Sequence, residues 1–254
     1  YVIIVNAEKI HLSTIFKSVS INDSMSYVLA GIVIIVVFQT SLNIATSTID
    51  DIASGYMKEV LVSPVRRVEI AIGQMLSSTT IATFQGILIL MIGYFIGMNY
   101  TTPITPLAII ASMILIGIVF SSFGLFLAAS VKNAQTFQII SIAVTTPITF
   151  LCGVYVPLSL LPNGLQFLSL FNPMTYATAF FRALSLEKLS VSTDELVAQE
   201  LAFKISNFVI TPQIGLIIVA LFGLVFIILS TIVFSKVDFS RVSRSHGNKD
   251  IFQQ

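Results

Sequence analysis

Polar and apolar residues in this chain segregate into long blocks. Residues 24–49, 70–131, 133–181 and 205–235 contain no Asp, Glu, Lys or Arg, giving runs of 26, 62, 49 and 31 residues. A bilayer core asks for roughly 20 consecutive apolar residues per helix, so the blocks predict membrane-spanning helices. The longest run would measure about 93 Å as one helix, about three times the hydrocarbon thickness, and must break and return. Asn99-Tyr100-Thr101-Thr102-Pro103-Ile104-Thr105-Pro106 supplies the break, with turn residues and two prolines. The pattern predicts five spans, near 26–47, 70–97, 106–131, 134–156 and 213–235, the last opened by Thr211-Pro212. The fold class is therefore an all-α polytopic membrane protein.

Between Val156 and Arg182 the chain stays apolar, but Pro157, Pro162, Gly164, Asn172 and Pro173 cut it into pieces too short to span. Segment 157–182 is expected to form short helices that enter the membrane and leave on the same side, with neighbouring protein satisfying their backbone groups. An ordinary surface loop would leave Phe167, Leu168, Leu170, Phe171, Phe180 and Phe181 in water. Further on, Ser192 and Glu195 have capping-box spacing, and Val197, Leu201, Ile205 and Phe208 recur at helical spacing. This predicts an outer amphipathic helix over about 193–208. Tyr1-Val2-Ile3-Ile4-Val5 reads as the last turn of a helix that began earlier, although a removed signal peptide would also leave such an end.

Composition agrees with the blocks: 56% of residues are hydrophobic, 10% are charged and the mean hydropathy is +0.96. A soluble globular domain is excluded. A net charge of +1 and the single cysteine, Cys152, argue against a nucleic-acid binder and a disulfide scaffold. Lys and Arg orient the spans. With the loop at 48–69 inside, the inner segments hold Lys58, Arg66, Arg67, Lys132, Lys236, Arg241, Arg244 and Lys249, while Lys9, Lys17, Arg182, Lys188 and Lys204 fall outside. The tail 236–254 is then cytoplasmic.

None of the five predicted spans contains an ionisable Asp, Glu, Lys, Arg or His. Ion-coupled transporters usually place such groups inside the membrane, so that class is disfavoured, though sodium sites of carbonyls and hydroxyls would escape this test. No enzyme motif is present, and no G-x-x-x-x-G-K-[ST] phosphate loop. His11 and His246 lie on opposite sides and cannot share a metal. No catalytic, metal or cofactor residue is therefore assigned, and active transport would draw its energy from another polypeptide. A membrane scaffold that carries nothing fits the same pattern.

The polar residues left in the spans are neutral. Gln39 and Asn43 stand four apart on one helical face, with Gln74, Gln85, Gln135 and Gln138 in later spans. Helix-to-helix hydrogen bonds and contact with cargo both fit them. Pro147, preceded by Thr145 and Thr146, predicts a kink. The most chemically dense segment is the inner loop, with Asp50, Asp51, Lys58, Glu59, Arg66, Arg67 and Glu69 around Gly55 and Pro64. Its middle, residues 56–62, has the length of two helical turns ended by Ser63-Pro64, suited either to docking a soluble partner or to a solvated connection.

Two segments resemble the permease subunits of ABC transporters of the ABC-2 exporter type. The run from Asp51 through Gly55, Lys58, Glu59 and Pro64 to Arg66 and Arg67 looks like the family's loop between its second and third membrane helices. Val156-Pro157-Leu158-Ser159-Leu160-Leu161-Pro162 and Phe171-Asn172-Pro173-Met174-Thr175-Tyr176, followed by Arg182, resemble the outer re-entrant pair before its last helix. The resemblance covers about residues 25–235 and implies a six-helix fold whose helices two to six are the five spans here. It further implies a homodimer or heterodimer of permeases in the cell membrane, bound to separate cytoplasmic ATPase subunits that hold ATP and Mg. Residues 55–63 would be the coupling helix, and Pro157, Pro162, Asn172, Pro173, Tyr176 and Arg182 would belong to the outer gate. Two departures from the family pattern are Asp-Asp-Ile-Ala-Ser in place of a Glu-rich run before Gly55, and a longer insert near 193–208.

Overall fold

The structure, a computed structural model, describes residues 21–53, 65–96, 100, 102–131, 134–205 and 208–236. The expected coupling helix with Gly55, Lys58, Glu59 and Pro64, the first twenty residues and the tail beyond Lys236 lie outside the described residues. In chain order the elements are α1 (Ile21–Ala53), α2 (Arg67–Ile96), α3 (Thr105–Ser130), α4 (Ala134–Phe150), a 3-10 turn (Leu158–Leu160), α5 (Asn163–Ser169), α6 (Pro173–Ser185), α7 (Thr193–Ala198), β1 (Phe203–Ile205), β2 (Phe208–Ile210) and α8 (Pro212–Lys236).

Among the described residues four helices are long and apolar enough to cross a membrane: Ser26–Ile49 within α1, and α2, α3 and α8. Helix α3 is the hub, packed against α1, α2 and α8. Its small residues allow this: Ser112, Gly117, Ser121, Ser122 and Gly124 are all buried in it. Most buried hydroxyls of α3 bond back to their own helix, as Ser122 does to the Val119 carbonyl at 2.7 Å, while Ser78 of α2 reaches the Ser41 carbonyl of α1 at 3.0 Å. Aromatic rings fill the seams. Phe120 is fully buried and meets Phe38 of α1 edge-on at 4.7 Å, while Phe226 of α8 meets Phe123 at 4.9 Å. Helices α2 and α8 leave Phe84, Phe95, Ile217 and Leu221 exposed, a surface suited to lipid.

Gly223 of α8 lies so close to Val119 of α3 that an added Cβ would collide with the Val119 Cγ2 methyl, which a β-branched side chain cannot swing away. Gly223→Ala is therefore expected to cost about 1 kcal/mol net, overpacking of about 1–3 kcal/mol offset by better helix propensity. The check is a lower midpoint in detergent unfolding; an unchanged or higher midpoint would refute the close-packing account.

Several sequence expectations are corrected. The span placed at 134–156 is helical only over Ala134–Phe150, 17 residues or about 25 Å, after which the chain turns through residues 151–157. Pro147 thus sits in the last turn of α4 instead of mid-span. The amphipathic helix at 193–208 is a single short helix, Thr193–Ala198, followed by an antiparallel hairpin pairing Phe203 with Ile210 and Ile205 with Phe208. Helix α7 stops because Glu200 takes a left-handed conformation (φ 57°), and Leu201 then bonds back to Leu196 in a Schellman closure. Ser192 precedes α7 but its side chain makes no capping bond. The signal for the hairpin was present: Phe-Lys-Ile and Phe-Val-Ile, aromatic and β-branched, flank two turn-type residues.

Candidate functional site

The predicted re-entrant segment forms the 3-10 turn, α5 and α6. Its exposure is uneven: Phe167, Leu168 and Phe171 are exposed, while Phe180 and Phe181 are buried with almost all of α6. Each proline sits where its missing N–H costs least, Pro157 and Pro162 just before the turn and α5, and Pro173 at the first position of α6.

Helix α6 is held by carbonyls that the end of α4 leaves free. A helix C-terminus has orphan acceptors, and here three side chains of one segment supply donors. Asn172 caps α6 by accepting from Met174 N at 3.0 Å and donates through Nδ2 to the Ile148 carbonyl at 2.8 Å. Thr175 Oγ1 donates to the Leu151 carbonyl at 3.1 Å. Arg182 Nη1 donates to the Gly153 carbonyl at 3.0 Å. Tyr176 closes the preceding turn through its hydroxyl bond to the Leu170 carbonyl and stacks edge-on against Phe203 of the hairpin at 5.8 Å.

Arg182 is the residue whose setting the sequence concealed. It was counted as an outer-segment charge, yet it is 3% exposed within the core. The same nitrogen donates to the Tyr27 hydroxyl at 2.8 Å, and the guanidinium carbon lies 3.8 Å from the centre of the Tyr27 ring. Gly31, one turn along α1, leaves the notch: an added Cβ there would stand 2.9 Å from Arg182 Nη2 and 2.8 Å from Val154 Cγ1. Arg182 Nε and Ser185 Oγ are buried without a hydrogen-bond partner among the described residues. An unsatisfied buried donor costs about 1–3 kcal/mol, so this contact is held at an energetic cost.

Two glutamates fasten this end of the bundle further, both in left-handed conformations that favour glycine: Glu187 (φ 55°) and Glu200 (φ 57°). Each stands just past a helix end and sends its carboxylate to another segment. Glu187 accepts from Thr102 N at 2.9 Å and Thr105 Oγ1 at 2.6 Å, at the positive N-terminus of α3. Burial, together with the Glu187 carboxylate, pushes the neighbouring Tyr100 phenol up to about 12, so it remains neutral. Glu200 grips the 3-10 turn, accepting from Leu158 N at 3.0 Å and Ser159 N at 2.9 Å. Replacing Glu200 by Gln removes the charge from two such bonds, each worth about 1.5–3 kcal/mol. Amide exchange at Leu158 and Ser159 should accelerate at least about tenfold; protection equal to the parent would show that the carboxylate does not hold the turn.

At the opposite end of the bundle lie the two ends of the loop expected to face inward. Arg66 and Arg67 are exposed, and Asp51 is half-buried at the end of α1. Arg67 Nη1 donates to the Ser235 carbonyl at 2.8 Å, joining the start of α2 to the end of α8, and Glu69 accepts from Arg66 N at 3.2 Å to cap α2. Between these layers α1 carries an open stripe. Val28 and Ile32 are exposed toward its N-terminal end, and Gln39, Asn43 and Ser47 continue the same face. Gln74 and Gln85 of α2 serve helix packing, accepting from Thr48 and Thr40 of α1 at 3.2 and 2.5 Å. Gln85 is exposed like Gln39, Gln135 and Gln138, so what sets the α2 glutamines apart is their bonds to α1. Pro147 is exposed and lines an apolar cleft of about 270 Å³ with Phe120, Phe171 and Phe222. No group of three His, Cys, Asp or Glu side chains is placed to hold a metal among the described residues.

These features define a protein of long apolar helices laced together at one end, and the profile of the ABC-2 type transporter family matches residues 9–186. The chain belongs to that family and is an integral membrane protein. It is 26% identical over 208 residues to the transport permease ycf38 of Cyanophora paradoxa, covering 80% of this chain and 69% of that protein. It is 28% identical over 159 residues to the inner membrane transport permease YadH of Escherichia coli K12, covering 62% of this chain and 61% of that protein. A probable multidrug ABC transporter permease of the same strain, YbhR, is 28% identical over 158 residues, covering 61% of this chain and 41% of that protein. The matched regions thus span less than two thirds of YadH and YbhR.

Proposed function

We propose that this chain is the membrane subunit of an ATP-driven exporter, working as a dimer of permeases and coupled through residues 50–67 to separate ATPase subunits that bind ATP and Mg. The observation that carries this reading is the stripe Gln39, Asn43 and Ser47, exposed along the inner part of a membrane-spanning helix. Amide groups such as those of Gln39 and Asn43 are costly to turn toward hydrocarbon, so such a stripe suits a second permease or a water-accessible path. The exposed Arg66 and Arg67 beside the loop favour an inner docking surface, and the bond from Arg67 to Ser235 gives a push on that loop a route into α8. The re-entrant segment, with Pro157, Pro162, Asn172, Pro173, Tyr176 and Arg182, would form the exit gate. The mostly apolar interior suits a hydrophobic cargo, and YbhR's description as a multidrug permease agrees with that chemistry.

The test replaces residues 55–64 by a Gly-Ser linker. Co-purification with the partner ATPase, and the permease's effect on its hydrolysis rate, are expected to fall at least about tenfold, the loss of roughly 1.4 kcal/mol or more of coupling. Association and hydrolysis equal to the parent would remove the coupling role from this loop.

A further inference from the structure

We propose that Arg182 is a latch between the outer cap and α1, closed on Tyr27 and the Gly153 carbonyl in the state seen here and released from α1 when the permease opens. The inference rests on the exporter reading above and assigns a positioning residue within it. Three observations carry it. First, the contact joins separate parts of the fold: Arg182 from α6, Tyr27 and the Gly31 notch from α1, and Gly153 from the turn after α4. Second, α1 is one continuous helix from Ile21 to Ala53, and its inner end leads into the loop proposed to meet the ATPase. Tyr27 lies 26 residues from Ala53, about 39 Å along the axis, so a rigid tilt or shift of α1 set by the loop would reach the latch directly.

Third, the closed contact is incompletely satisfied. Arg182 Nε, with Ser185 Oγ at i+3 on the same helix, is buried without a partner among the described residues. A core arginine held only for stability would be expected to fill its donors, and here water entering on opening would satisfy the stripe that packing against α1 leaves dry. Both acceptors are neutral, so release breaks no hydrogen bond to a charged group, and the Glu200 carboxylate acts on the guanidinium only from a distance. The carboxylate of Glu200 and the side chain of Asn172 hold the turn and the start of α6 through hydrogen bonds that do not involve α1, which leaves Arg182 and its Tyr27 partner as the releasable side of the cap.

The molecule contains its own reporter. Cys152, the single cysteine, adjoins Gly153, is 2% exposed and bonds the Thr149 carbonyl at 2.9 Å. The experiment uses the whole permease–ATPase complex in proteoliposomes. A membrane-impermeant maleimide is added on the outer side, and alkylation of the Cys152 peptide is followed by mass spectrometry with and without ATP turnover. In the parent, turnover is expected to raise the rate at least tenfold. Arg182→Lys, which loses the planar stacking group, should raise the nucleotide-free rate at least tenfold and bring the turnover ratio near one. Tyr27→Phe keeps the ring and loses the hydroxyl, so it should fall between them, and it carries the test should the lysine variant fail to assemble. A purely structural defect would raise both rates and preserve their ratio. The latch is overturned if the parent hydrolyses ATP with Cys152 equally protected throughout, or if assembled variants keep the parent's ratio. Failure of the exporter reading is read separately, as absence of an ATPase in the purified complex.

Discussion

Arg182→Ala should destabilise the purified permease by about 3–5 kcal/mol, the largest effect expected of any single substitution here. The guanidinium leaves two buried acceptors behind, the Tyr27 hydroxyl and the Gly153 carbonyl, each costing about 1–3 kcal/mol when unpaired. It also leaves a void against the Tyr27 ring and the Gly31 notch. Relief of the buried charge works in the opposite direction and keeps the loss from being larger. Arg182→Met refills most of the volume without restoring a donor, so it should recover about half of the loss. Unfolding in mixed micelles titrated with SDS, followed by circular dichroism, measures both. Equal stability of parent and alanine variant would mean that the buried guanidinium contributes nothing to the closed cap.

Phe120→Ala is expected to follow, at about 2–3 kcal/mol. In water the same truncation would cost about 3–5 kcal/mol, but part of that is transfer out of solvent, which is small when lipid is the alternative. What remains is the void. At about 24 cal/mol per Å³ over roughly 100 Å³, the cavity alone gives about 2.4 kcal/mol. Phe120 is placed to show it, being fully buried and in edge contact with Phe38 across the seam between α1 and α3. Phe95, 82% exposed on α2, is the control and should move the same midpoint by less than about 0.5 kcal/mol. A loss at Phe95 equal to that at Phe120 would indicate that the exposed face of α2 is packed against something other than lipid.

The helices were the most legible part of the chain. Where the sequence predicts 106–131 and 213–235, the structure has Thr105–Ser130 and Pro212–Lys236, because an uncharged run bounded by proline and charge leaves helix as the one way to satisfy a backbone in hydrocarbon. Legibility fell where the period shortened. Val197, Leu201, Ile205 and Phe208 sit at helical intervals, yet Glu200 ends the helix and the last two pair across a hairpin, because three-residue strands are too short to display alternation. Among the candidate gate residues, Pro157, Pro162, Asn172 and Pro173 occupy the helix starts that their residue types favour. The partners of Asn172 and Arg182 at Ile148, Tyr27 and Gly153 could not be read, since backbone carbonyls and a distant tyrosine leave no mark in local sequence.

By itself the sequence determined that this protein lives in a bilayer, where its long helices lie, that a proline-cut segment precedes the last of them, and which family those segments resemble. All of these follow from hydropathy, proline chemistry and spacing, which act over neighbouring residues. Only the tertiary structure decided that an arginine counted among the outer charges is buried against α1, that two glutamates take glycine's conformation to reach other segments, and that Gln74 and Gln85 accept bonds from α1. Burial and hydrogen-bond partnership depend on which distant segment arrives alongside, as the 155 residues separating Tyr27 from Arg182 illustrate.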